Sequence, residues 1–151
     1  MRRGLLLVSA VALLSCKPET ETAVPPAPVS GHEIYMTRCI ACHQADGGGL
    51  PAICPPLNNS PRLAGPPADV IRILLLGMKG GIVRNGNAYN GIMPSWRFDL
   101  TDGEIAGVVN EVYSRWKPGS APVTGEMVRQ IREETAPQKL FPTAKELGFS
   151  D

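Results

Sequence analysis

Apolar and polar positions divide this 151-residue chain into segments of different period. The best-defined element follows Thr101. Apolar residues recur at Ile105, Val108, Val109, Val112, Tyr113 and Trp116, which is one face of a helix, and Thr101 and Glu104 have the Thr-x-x-Glu spacing of a capping box at its start. A middle helix is predicted over about Ala68 to Leu76. It carries Val70, Ile71, Ile73, Leu74, Leu75 and Leu76, is apolar nearly all round as a wedged helix should be, and stops at Gly77. Gly80 to Gly91 is rich in Gly and Asn and reads as a loop or a short hairpin around Asn85-Gly86. Beyond Trp116, Thr124 to Thr135 is amphipathic, with Met127, Val128 and Ile131 on one face. Pro137, Phe141, Pro142 and Phe149 then follow in an irregular extension. This tail is expected to pack back on the preceding domain, docking to a partner being the alternative.

The N-terminus follows a different logic. Arg2 and Arg3 precede an apolar run from Leu5 to Leu14, the pattern of a secretory signal too short to span a bilayer. It ends Leu13-Leu14-Ser15-Cys16, which resembles the lipobox of bacterial lipoproteins. The resemblance implies a signal peptide over 1–15, a lipidated Cys16 as the mature N-terminus, and export with attachment to a bacterial membrane facing the periplasm. A plain cleaved signal with an incidental cysteine is the alternative. Lys17 to Ser30 holds Pro18, Pro25, Pro26 and Pro28 with little apolar bulk, so 16–30 reads as a tether that burial cannot order. Extended, it would reach up to about 40 Å.

Composition bounds the rest. The chain is long enough for one domain plus appendages. With 15 Lys and Arg against 14 Asp and Glu there is no basic field to call for nucleic acid. Loss of Arg2 and Arg3 would leave the mature chain near −1. Aromatic residues make up only 5%, so a core poor in rings needs some other filler. The four cysteines first suggest two disulfides, but their spacing argues otherwise.

Cys39-Ile40-Ala41-Cys42-His43 is Cys-x-x-Cys-His, the attachment signature of c-type haem. On a helical turn positions i and i+3 face the same way, so both thiols can add to two vinyl groups on one porphyrin edge, with the adjacent imidazole left for the iron. A zinc site needs four ligands, and only Cys54 and His32 remain, without paired spacing. A redox-active Cys-x-x-Cys needs no histidine, and no thioredoxin-like pattern surrounds this one. The haem itself would supply the missing core bulk.

From about Gly31 to Trp116 the chain resembles class I, monohaem c-type cytochromes. It is most similar to the periplasmic cytochrome domains that accompany alcohol-type dehydrogenases and nitrite reductases. The shared features are the haem motif, Gly47 to Leu50, Pro55-Pro56-Leu57, Ile92-Met93-Pro94 and Pro122-Val123-Thr124. The resemblance implies an all-α cytochrome c fold, a small helical haem domain over 31–117 around one covalent haem c, with a C-terminal extension over 118–151. It implies thioether bonds to Cys39 and Cys42 and iron ligation by His43. Met36 lies too close to His43 in sequence, and Met127 lies beyond the last core helix, which leaves Met78 and Met93. The family pattern selects Met93 as the second axial ligand and leaves Met78 as a helix-end or pocket-wall residue. It also implies that the Pro55 carbonyl accepts the second ring N–H of His43 and that Leu57 covers the ring. Arg84, Tyr89 and Trp96, and less readily Arg62 and Asn59, are candidates for the haem propionates. Cys54 departs from the family pattern and reads as buried and inert, intermolecular pairing being the alternative.

The function so implied is one-electron transfer, not bond making in a substrate. The partners would be redox proteins: a dehydrogenase, a reductase or a terminal oxidase. Two alternatives remain open. One is a haem enzyme or gas sensor with a displaceable sixth ligand, the other a fixed cytochrome subunit of a dehydrogenase or reductase.

Overall fold

The computed structural model describes residues 29–149, so Cys16, the apolar run before it and most of the Pro-rich segment lie outside the described residues. The first helix, α1, spans residues 31–43. It starts with Gly31–Ile34, capped by the Ser30 hydroxyl, which accepts from the Glu33 N–H at 3.1 Å. It widens to a π-helical stretch over Tyr35–Cys39 and tightens to an α turn over Ile40–His43. Gln44, at φ 61°, ends it.

Two proline-started helices follow. The short α2 is Pro61–Ala64 and α3 is Pro67–Leu76, each with proline in its first turn, where a missing N–H costs nothing. Ile71, Leu74, Leu75 and Leu76 of α3 are buried, and Gly77 stops the helix as the sequence predicts.

The expectation of an all-α fold fails over residues 78–93. Here the chain forms two antiparallel ribbons, β1 (Met78–Lys79) with β4 (Ile92–Met93), and between them β2 (Ile82–Arg84) with β3 (Asn87–Tyr89). The inner hairpin turns at Asn85-Gly86, both at positive φ, which gives the local twist that two-residue hairpins need. The outer ribbon pairs Met78 with Met93 and Lys79 with Ile92. Neither segment has helical periodicity, and glycines punctuate both. Helices nonetheless dominate the fold.

The long helix α4, Asp102–Trp116, starts at the expected capping box. The Glu104 N–H bonds the Thr101 hydroxyl, and the Thr101 N–H bonds the Glu104 carboxylate. It buries Ile105, Val108, Val109, Val112 and Tyr113; full burial of such side chains contributes about 1.5–3 kcal/mol each. α1 crosses α4 at Gly31 and Gly107. A Cβ built on Gly31 would overlap the Gly107 carbonyl, so backbone meets backbone there. Arg115 reinforces the crossing: its guanidinium bonds Glu111, which also holds His32, and reaches the Ala45 carbonyl at 3.3 Å.

The last helix, α5, is Gly125–Glu134, capped by Thr124, and packs Val128 and Ile131 against α3 and α4. Arg132 ties it down, bonding Asp102 at 2.7 Å and the carbonyls of Arg97 and Leu100. Beyond it the chain turns back. The Phe141 N–H bonds the Leu76 carbonyl at 2.8 Å, and Phe149 is buried with Ile82 and Ala144 in a second apolar cluster. No described helix is long and apolar enough to cross a membrane.

Candidate functional site

Between α1, α3, α4 and the ribbons lies a cleft of two joined lobes, about 970 Å³ and 760 Å³ including the space at their mouths. Both lobes share the same six residues: Cys39, His43, Pro55, Met78, Ile82 and Met93. The larger lobe is walled by α3 and α4 residues such as Ile73, Leu74 and Val109, with Leu57 on the loop. The smaller lobe is flanked by Cys42, Trp96 and the Ile53–Pro55 segment.

Helix geometry aims the motif into this space. Cys39 is partly buried, Cys42 is exposed, and no disulfide joins the described cysteines. Burial pushes the Cys39 thiol up to about 11, so it faces the cleft uncharged. Burial also pulls the His43 pKa below its usual value, which keeps the imidazole neutral and its nitrogens available as ligands. Tyr35, fully buried at the back of α1, bonds the Gln44 carbonyl at 2.6 Å and so braces the helix end next to His43.

The outer face of His43 differs from expectation. The family resemblance implies a bond from the imidazole to the Pro55 carbonyl, yet the side chain in hydrogen-bonding reach of Nδ1 is Cys54, whose Sγ lies 3.3 Å away. The same sulfur is 3.7 Å from the Pro55 carbonyl oxygen. Cys54 is buried, as expected, but it is engaged with the site. Pro55 and Leu57 both line the larger lobe.

The methionine wall is the outer ribbon. Met78 and Met93 are direct cross-strand partners, so both thioethers lie on one face, and both line both lobes. The end of α3 holds the segment that follows the ribbon: Trp96 N–H bonds the Leu74 carbonyl at 2.8 Å, and the Ser95 hydroxyl bonds the Leu75 carbonyl at 2.6 Å. A Cβ on Gly91 would overlap the Ile53 carbonyl, so the ribbon closes directly onto the Cys54 loop.

Of the propionate candidates, Arg62 and Arg84 reach the larger lobe and Tyr89 and Trp96 the smaller, while Asn59 is exposed and lines neither. The Arg62 guanidinium stacks 4.1 Å over the Phe149 ring. Ala144 and Phe149 line the larger lobe as well, a role their position in an irregular tail did not reveal; the only hint was an aromatic ring in a polar segment. His32, once a conceivable zinc ligand, is engaged with Glu111 on the flank of α1. Two thiols, a neutral imidazole and two thioethers around an apolar cleft form a donor set suited to a covalently held haem, and few polar side chains interrupt the walls.

A family model described as cytochrome C oxidase, cbb3-type, subunit III matches residues 26–110. The chain is 35% identical over 139 residues to cytochrome c-552 of Thermus thermophilus, covering 82% of this chain and 88% of that protein. This chain belongs to the c-type cytochrome family. Further similarities are to the cytochrome c subunit of gluconate 2-dehydrogenase from Pantoea cypripedii (34% identical) and that of quinone alcohol dehydrogenase from Gluconacetobacter polyoxogenes (32%). These matches cover 72% and 74% of this chain but only 25% and 24% of the two subunits. As a monohaem c-type cytochrome, the protein carries covalently bound haem c and transfers electrons.

Proposed function

We propose that this cytochrome is a membrane-tethered one-electron carrier, exported to the periplasm and held there by a lipid on Cys16. Haem supplies a one-electron couple when bound; the residues of this chain hold it, shield it and present one edge. Cys39 and Cys42 would hold it through thioether bonds, and His43 and Met93 would ligate its iron. Pro55 and Leu57 wall the histidine side, and Arg62 and Arg84 are the charged groups best suited to the propionates. The reading rests above all on the convergence of Cys39, His43 and Met93 among the six residues common to both lobes. Imidazole and thioether would together satisfy the iron, which suits a carrier and would leave no open position for substrate chemistry. The haem domain is taken as 31–117, and the extension over 118–151 completes its wall through Ala144 and Phe149. The partner is a redox protein: a dehydrogenase, a reductase or a terminal oxidase. The likeness to dehydrogenase cytochrome subunits also favours a second form of this reading, a lasting association with such an enzyme.

The test is the spectrum of the ferric protein. Methionine ligation produces a weak sulfur-to-iron charge-transfer band in the red. Met93→Ala is expected to abolish it and lower the reduction potential, while Met78→Ala leaves it intact. The reverse result would exchange the two methionines, and a high-spin wild-type protein without the band would overturn the carrier reading. For the anchor, Cys16→Ser is expected to release the protein from membranes.

A further inference from the structure

Cys54 is held unusually firmly for a loop residue. Its N–H bonds the Leu50 carbonyl at 2.9 Å, and its own carbonyl accepts the Leu50 N–H at 2.8 Å, so both backbone groups are pinned in one tight bridge. The residue is 9% exposed, which leaves little room for water to compete for its partners. Its sulfur lies 3.3 Å from His43 Nδ1 and 3.7 Å from the Pro55 carbonyl oxygen. A thiol can accept at sulfur and donate its S–H, so it can stand between an N–H and a carbonyl.

We infer that Cys54 is a positioning residue for His43: its sulfur accepts the Nδ1–H, its S–H points to the Pro55 carbonyl, and the thiol takes the place of a direct imidazole-to-carbonyl bond. The inference rests on His43 being an iron ligand through its other nitrogen. Two consequences follow for electron transfer. The Nδ1–H contact orients the ring and selects the tautomer that leaves Nε2 free. Sulfur is a weaker acceptor than a carbonyl oxygen, so the imidazole stays less basic than a carbonyl would make it, which favours the ferrous state.

The haem-loaded full-length protein provides the test, with Cys54→Val keeping the bulk but removing the sulfur, and Cys54→Ser restoring a polar partner. Two quantities are read: the ferrous-to-ferric ratio at a fixed ambient potential, and the solvent exchange of the His43 Nδ1 proton by NMR of the ferrous protein. The valine variant is expected to shift the ratio on the order of threefold, a fraction of one hydrogen bond's net worth, and to speed proton exchange on the order of tenfold. The serine variant moves both back toward wild type. Valine values equal to wild type, or a serine variant that restores neither, would overturn the role of the thiol. The wild-type spectrum separates this from the underlying reading: without a low-spin ferric spectrum, the ligand assignment fails and the inference with it. With that spectrum present and the valine variant silent, the inference alone falls.

Discussion

On one side of the cleft, α1 and α4 meet through Gly31 and Gly107, and the long apolar face of α4 packs with Ile34 and Tyr35 of α1. On the other side, the methionine wall is a ribbon of two-residue strands, β1 and β4, held by a carbonyl-to-glycine contact at Gly91 and by bonds to the end of α3. The helical wall draws its stability from many buried side chains of one regular element. The ribbon has almost no core of its own and takes its shape from what it touches. The difference suits an electron carrier: Cys39, Cys42 and His43 sit on the helical wall, while Met78 and Met93 sit on the wall that tertiary contacts define.

The largest expected effect is at the helical wall. Gly31→Val would drive side-chain atoms into the Gly107 backbone, at a cost of about 3 kcal/mol or more, seen as a large drop in the thermal midpoint of the haem-loaded protein. Gly107→Ala is the sharpening control. A Cβ there comes only to 3.4 Å from Gly31, and alanine favours a helix, so its effect should stay within about 1 kcal/mol. If the two substitutions were equally harmful, the asymmetry of the crossing would be wrong.

Gly91→Ala probes the other wall. The overlap with the Ile53 carbonyl should cost about 1–2 kcal/mol and weaken the red sulfur band, while both thioether bonds remain. A variant with an unchanged band and an unchanged midpoint would show that the ribbon does not depend on the Cys54 loop.

The smallest effect belongs to the cap of α4. Bonds from the Thr101 N–H and hydroxyl hold the Glu104 carboxyl below its usual pKa. A carboxyl whose folded pKa is depressed stabilises the fold above its ordinary pKa and loses that contribution as the pH falls through the folded value. Glu104→Ala should therefore cost about 0.5 kcal/mol near neutral pH, because solvent screens so exposed a carboxylate, with the gap from wild type closing below about pH 4. A gap that stays constant in acid would mean that the carboxylate is not the stabilising group.

The cap, the face of α4, the extent of α3 and its stop at Gly77 were all legible because each is a local pattern: a capping box, a 3.6-residue period, an apolar run ended by glycine. The hairpin at Asn85-Gly86 was legible for the same reason. The outer ribbon was not. Two strands of two residues carry no period, and the Met78–Met93 pairing spans fourteen residues of intervening chain. The π-helical stretch in α1 left no local signature either, and the entry of Phe149 into the cleft left only an aromatic ring in a polar segment.

For the site, the motif at Cys39, Cys42 and His43 identified the cofactor from five residues, because covalent attachment demands fixed spacing on one turn of helix. That chemistry, the single-electron function it implies and the main helices are what the sequence alone determined. The tertiary structure decided which atoms face the imidazole from outside, how the two methionines share one wall and which tail residues seal the larger lobe. Those contacts join residues far apart in the chain, and only the folded backbone, with Gly31 against Gly107 and Gly91 against Ile53, brings them within bonding distance.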